Sequence, residues 1–181
     1  MHLRSVFACA ILAALVSACL ASGASMPAGG AVRLFATPVA NSPIHTTVLF
    51  TGAIGDHGQA LTINKDGAAD ANGDYVKVTL KEGGFEINST TLNAKANNAR
   101  PASNNTTCSA ALSVTGPVSL FDGTGLYTGI GGTLSITETF AFLGPRYTSG
   151  AKQGQCNESN SAQPVAEYSS ITGTGTVKFS R

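Results

Sequence analysis

Alternation of apolar and polar residues dominates this chain, and it is strictest between Tyr75 and Lys81. Val76, Val78 and Leu80 share one face there while Lys77 and Lys81 take the other, which is the period of a half-buried β-strand. Gly83-Gly84 turns the chain into Phe85 to Leu92, which is expected to return antiparallel. The longest alternating run spans Cys108 to Phe121, with Cys108, Ala110, Leu112, Val114, Val118 and Leu120 opposite Ser109, Ser113, Thr115 and Ser119. Gly116-Pro117 interrupts it, and such a pair predicts a bend or bulge.

Other strands follow the same rule. Val32 to Ala36 reads as a first strand ended by Pro38, and Thr46 to Ile54 as a second. Gly55-Asp56-His57-Gly58 reads as a surface turn, with Gln59 to Asn64 as its return. Asp66-Gly67 and Asn72-Gly73 are further turn signals, and Asn93 to Asn105, with Arg100-Pro101, reads as a long polar loop. A short strand with Leu126, Tyr127 and Ile130 is expected before Thr133 to Leu143. After a polar loop over Gly144 to Gln163, Ile171 to Ser180 closes the set. About eight strands at hairpin spacing predict an all-β fold, a single antiparallel β-barrel or alternatively a β-sandwich. No segment beyond the N-terminal one has a helical pattern.

The N-terminus departs from that rhythm. His2 and Arg4 precede an apolar run from Val6 to Val16, followed by Ser17-Ala18-Cys19. The run is too short for a membrane span of about 20 residues and fits a secretory signal. Val16-Ser17-Ala18-Cys19 matches the bacterial lipobox, in which the cysteine becomes the lipidated first residue. The division expected is a signal over 1–18, a flexible tether over 19–30 and one domain over 31–181. The protein is then exported to the cell envelope and held at the membrane by lipid on Cys19. The alternative is an ordinary signal cut farther along, between Leu20 and Ser25, and a secreted soluble protein.

Composition narrows the partners. Eleven Lys and Arg balance ten Asp and Glu, for a formal net charge of +1, so the basic stripe expected of a nucleic-acid binder is missing. With Cys9 in the signal and Cys19 committed to lipid, Cys108 and Cys156 remain as a pair in an oxidising compartment and are expected to form a disulfide. Nothing in the sequence fixes an oligomeric state.

Gly123-Thr124-Gly125-Leu126-Tyr127-Thr128-Gly129-Ile130-Gly131-Gly132 resembles the G-T-G-x-Y/F-x-G-x-x-G segment of the allene oxide cyclase and dirigent proteins. The hairpin from Phe50 to Gly58 looks like that of bacterial exported proteins with this kind of barrel. The resemblance covers about a fifth of the chain. It implies an eight-stranded barrel with an apolar cavity, in which relatives cyclise a fatty-acid epoxide or orient phenolic radicals. Fold alone transfers neither chemistry.

Candidate chemistry is sparse. Leu134, Ile136, Glu138, Phe140 and Phe142 alternate onto one face, and Glu138 is the only charge among them. A carboxylate placed so must find a partner, reach water or take up a proton. Glu138 is therefore the candidate acid or base of an enzyme and, with Tyr127 and Arg146, the candidate ligand-binding set; His57 is a further candidate partner. A salt-bridged or exposed Glu138 without a ligand is the plainer alternative. His45 is isolated, His2 lies in the signal, and no His, Cys and Asp cluster has metal-ligand spacing, so neither metal nor cofactor is expected. No Gly-x-Ser-x-Gly elbow appears, and the glycine run from Gly123 is followed by strands rather than the helix a dinucleotide loop needs. Three functions remain: a barrel that binds an apolar or amphipathic molecule or an envelope component, a cyclase or isomerase using the cavity, and a structural surface domain with a filled interior.

Overall fold

The computed structural model describes residues 28–40, 42–159 and 161–180. Cys19, the signal and the tether up to residue 27 lie outside the described residues. The strands are β1 (Gly29–Pro38), β2 (His45–Gly52), β3 (Asp56–Ile63), β4 (Tyr75–Leu80), β5 (Gly83–Asn88), β6 (Ala102–Asn104), β7 (Ser109–Gly125), β8 (Ile130–Leu143) and β9 (Ala166–Phe179). One helix, α1 (Thr90–Asn98), follows β5. Every pairing is antiparallel, β1 lies between β2 and β9, and β5 pairs with β7. Eight strands thereby close into a barrel, and β6 adds to the free part of the β7 edge. Closure removes the unpaired edges that an open sheet would expose.

The inward faces follow the alternation. Val32 and Leu34 on β1, Val48 and Phe50 on β2, Val78 on β4 and Val118 and Leu120 on β7 are all buried. Lys77 and Lys81 face solvent. Cys108 and Cys156 form a disulfide, with Cα atoms 5.3 Å apart.

Five local expectations change. First, β1 begins at Gly29, paired with Lys178, two residues before the expected domain start. Second, β5 stops at Asn88 and the chain enters α1 where strand and loop were expected. Among the helix residues only Leu92 is buried, so the segment carries no 3.6-residue stripe to betray it. Asn88 Oδ1 accepts the Thr90 N–H at 3.0 Å and starts the turn.

Third, Gly116-Pro117 is not a bulge. The β7–β8 register runs unbroken from Ser109 opposite Leu143 to Leu120 opposite Gly132. On its other edge, β7 pairs with β6 through Ala111 and with β5 from Ser119, and α1 packs over the stretch between. Pro117, with no N–H to offer, falls in that unpaired stretch. A Cβ at Gly116 would stand 3.1 Å from the Leu92 Cα, so the glycine seats the helix. The irregular register lies instead between β5 and β7, beside Asp122 at φ 50°.

Fourth, Leu126 and Tyr127 are in the β7–β8 turn rather than a strand. A Cβ at Gly123 would run into the Tyr127 carbonyl, so the chain can fold this tightly only over glycine. Fifth, Asp56 and His57 are not a hairpin tip: they open β3, and the turn before them spans residues 53–55.

Candidate functional site

The two ends of the barrel differ. At one end lie the β2–β3, β4–β5 and β7–β8 turns, together with the start of β1; this end is closed by side chains. Tyr127 turns inward from the β7–β8 turn and is 1% exposed. Its ring meets Phe85 edge-on at 5.7 Å and lies 6.4 Å from Phe179, while Phe85 in turn meets Phe50 at 5.5 Å. Such edge-to-face pairs add to the burial of the rings themselves.

The Tyr127 hydroxyl donates to Asp56 Oδ2 at 2.7 Å, and Asp56 is itself 7% exposed. The backbone N–H of Glu82 donates to the same oxygen at 3.1 Å and that of His57 to Oδ1 at 2.7 Å. Burial pushes the Asp56 carboxyl up, but the Tyr127 hydroxyl and the N–H groups of Glu82, His57 and Lys81 more than offset it. The carboxyl therefore stays ionised below the usual carboxylate range. Burial, then the Asp56 carboxylate, push the Tyr127 phenol well above its ordinary value. This pair plugs the closed end, and neither residue lines the cavity at the other end.

At the other end the barrel opens into a cavity of about 520 Å³. That is within the ordinary size of a small-molecule pocket, about 300–1,000 Å³. Leu34, Val48, Phe50, Val118 and Ile136 make its apolar depth, and α1 covers one side through Leu92 and Ala96. Phe50 lies between the two ends, lining the cavity and packing on Phe85, which in turn meets the Tyr127 ring.

Glu138 lines this cavity from β8, between Val114 on β7 and Ile171 on β9. Burial raises its carboxyl above the usual range. No described hydrogen bond or ion pair reaches it, whereas Asp74 Oδ1 at the same mouth accepts from Asn93 Nδ2 at 3.0 Å. The expected inward face of β8 thus holds at Glu138, but the proposed partners are elsewhere. Tyr127 is bound to Asp56 at the closed end. The Arg146 guanidinium donates to the carbonyls of Gly154 and Thr106, organising the loop that carries Cys156. His57 follows Asp56 on β3 at the closed end. An acid–base reaction at Glu138 requires a second polar group converging on it, and no described hydrogen bond supplies one.

Because burial lifts the Glu138 pKa, the folded state binds its proton more tightly than the unfolded chain does. Folding stability therefore falls as pH rises from the ordinary glutamate value through the raised one. Glu138→Gln is expected to raise the denaturation midpoint of the ligand-free protein at neutral pH, the gain vanishing below about pH 4 to 4.5. A pH-independent difference in urea denaturation would refute that origin.

Among the described residues no group of His, Cys, Asp and Glu side chains could hold a metal ion, and no helix is long and apolar enough to cross a membrane. Sequence reasoning missed the Asp56–Tyr127 contact, for which the only local signal was a carboxylate directly after the turn glycine Gly55, at φ 61°. No protein-family model, curated protein or solved structure matches the chain.

Proposed function

We propose that this protein is an exported envelope lipoprotein whose barrel binds an apolar or amphipathic small molecule in the cavity at its open end. The carrying observation is that cavity: apolar in depth, closed beneath by the Tyr127–Asp56 plug, and bearing one carboxylate, Glu138, without a partner among the described residues. A structural domain would have a filled interior, and about 520 Å³ of open space argues against that alternative. The arrangement agrees with the resemblance to the allene oxide cyclase and dirigent barrels, which we propose as kinship of form and not of reaction.

The lipobox supplies the address. A lipid on Cys19 would join the barrel through β1, which starts at the closed end opposite the mouth. The cavity then opens at the end of the barrel away from the tether, free to meet diffusible molecules or an envelope neighbour.

Native mass spectrometry of the full chain purified from its own membranes tests both halves. The expected result is a chain beginning at lipid-modified Cys19, together with a co-purifying small molecule. An unmodified N-terminus later in the chain would remove the anchor. Ala36 lines the cavity and is buried, so Ala36→Phe is expected to fill space at modest overpacking cost, about 1–3 kcal/mol. Its affinity for the neutral fluorophore diphenylhexatriene should fall at least about tenfold, since roughly 1.4 kcal/mol of lost contact suffices. Equal binding by a folded Ala36→Phe variant would place the fluorophore outside the cavity.

A further inference from the structure

Among the described residues, the ionisable ones that line the cavity are His45, Asp74 and Glu138, with no lysine or arginine. Two of the three are carboxylates. Asp74 already accepts a hydrogen bond from Asn93, and the His45 ring nitrogen Nδ1 is engaged by the Ser42 hydroxyl at 2.8 Å. Glu138 alone among them has no described partner, and it stands where the apolar depth gives way to the polar mouth. We infer that the cavity takes single-chain amphiphiles with a cationic amine head, the hydrocarbon lying over Phe50 and Ile136 and the ammonium on Glu138. This rests on the binding function proposed above and names its ligand class.

The physical case is one of preorganisation. A carboxylate lifted partly out of water by folding has already incurred its desolvation cost, so a ligand that brings an N–H donor and a positive charge gains the interaction at once. A fatty acid meets the reverse situation. Its carboxylate would face Glu138 and Asp74 with no lysine or arginine among the described lining residues to neutralise it, and like charges disfavour one another in such a site. A fatty alcohol lies between, able to donate to Glu138 but without charge. Hydrogen bonds to a charged group are worth enough that the amine should exceed the acid by about tenfold or more in affinity.

Decylamine, decanol and decanoate share one chain length and differ only in the head, and calorimetric titration of the full-length protein at neutral pH compares them. The expected order is decylamine tightest, decanol next and decanoate weakest. Glu138→Gln is expected to remove most of the advantage of decylamine over decanol, because only the amine loses an ion pair. Equal affinities in the native protein, or tightest binding of decanoate, would overturn the amine assignment while leaving the cavity a binding site. Failure of all three, with failure of diphenylhexatriene, would overturn the binding function and the ligand class together. The native protein's own order decides the matter even if the variant does not fold.

Discussion

Tyr127→Ala is expected to lower the unfolding free energy by about 3–5 kcal/mol, the cost of deleting a large aromatic from a packed core. The ring is 1% exposed and packs against Phe85 and Phe179, so its removal forfeits those contacts and leaves a cavity. A further loss comes from Asp56, whose carboxylate keeps its backbone donors but loses its side-chain donor. Tyr127→Phe separates the two effects. It retains the ring and removes only the hydroxyl, leaving a buried carboxylate short of one hydrogen bond, at about 1–3 kcal/mol.

The same pair sets the pH limits of the fold. Asp56 has a folded-state pKa below that of the unfolded chain, so its contribution is full above the ordinary aspartate value and disappears as pH falls through the folded one. Tyr127 has a raised pKa, so its contribution is full below the ordinary phenol value and disappears as pH climbs beyond it. Stability contributed by the plug is therefore a plateau from about pH 4 to about pH 10. Tyr127→Phe should flatten the alkaline limb in urea denaturation series. Unchanged limbs would mean that the hydroxyl and the carboxylate are not joined in solution.

What the sequence disclosed and what it hid follow from the range of the interactions involved. Strand alternation is local, so Val76, Val78 and Leu80, or Val114, Val118 and Leu120, could be assigned to the inside without knowing their partners. Glu138 was legible in part for the same reason: the β8 alternation sets it on the face of Leu134 and Ile136, while only closure of the barrel decides that this face meets a cavity rather than solvent. Contacts made by closure are not local. Asp56 and Tyr127 are 71 residues apart and meet only because β5 pairs with β7, so Asp56 reads as a surface-turn residue and Tyr127 as a strand residue that could partner Glu138, and nothing local joins the two. Helix α1 was hidden differently, since one buried leucine seated on a glycine 24 positions later leaves no period to detect. Gly116-Pro117 shows the converse hazard, a pair with strong local preferences whose meaning lies in what packs over it.

Loss of the Cys108–Cys156 disulfide is expected to cost about 4 kcal/mol in the chain-entropy account, given a sequence separation of 48. The bond ties the segment before β7 to the loop after β8, the part of the chain least supported by barrel pairing. Arg146, through the carbonyls of Thr106 and Gly154, holds the same two segments noncovalently. The β7–β8 ladder is expected to survive reduction, since its paired residues include neither cysteine. Cys108→Ser with Cys156→Ser should therefore shift the denaturation midpoint down with the barrel retained, and proteolysis should concentrate between Gly144 and Val165. Neither cysteine lines the cavity, so diphenylhexatriene affinity should be unchanged where the variant is folded. Equal midpoints for oxidised and reduced protein would refute the stabilising role. Because a 4 kcal/mol loss is a large fraction of the usual 5–15 kcal/mol of a domain, protein made in a reducing compartment should be markedly less stable. An oxidising environment is thus a condition of the fold's full stability, and the export proposed from the N-terminal sequence would supply one.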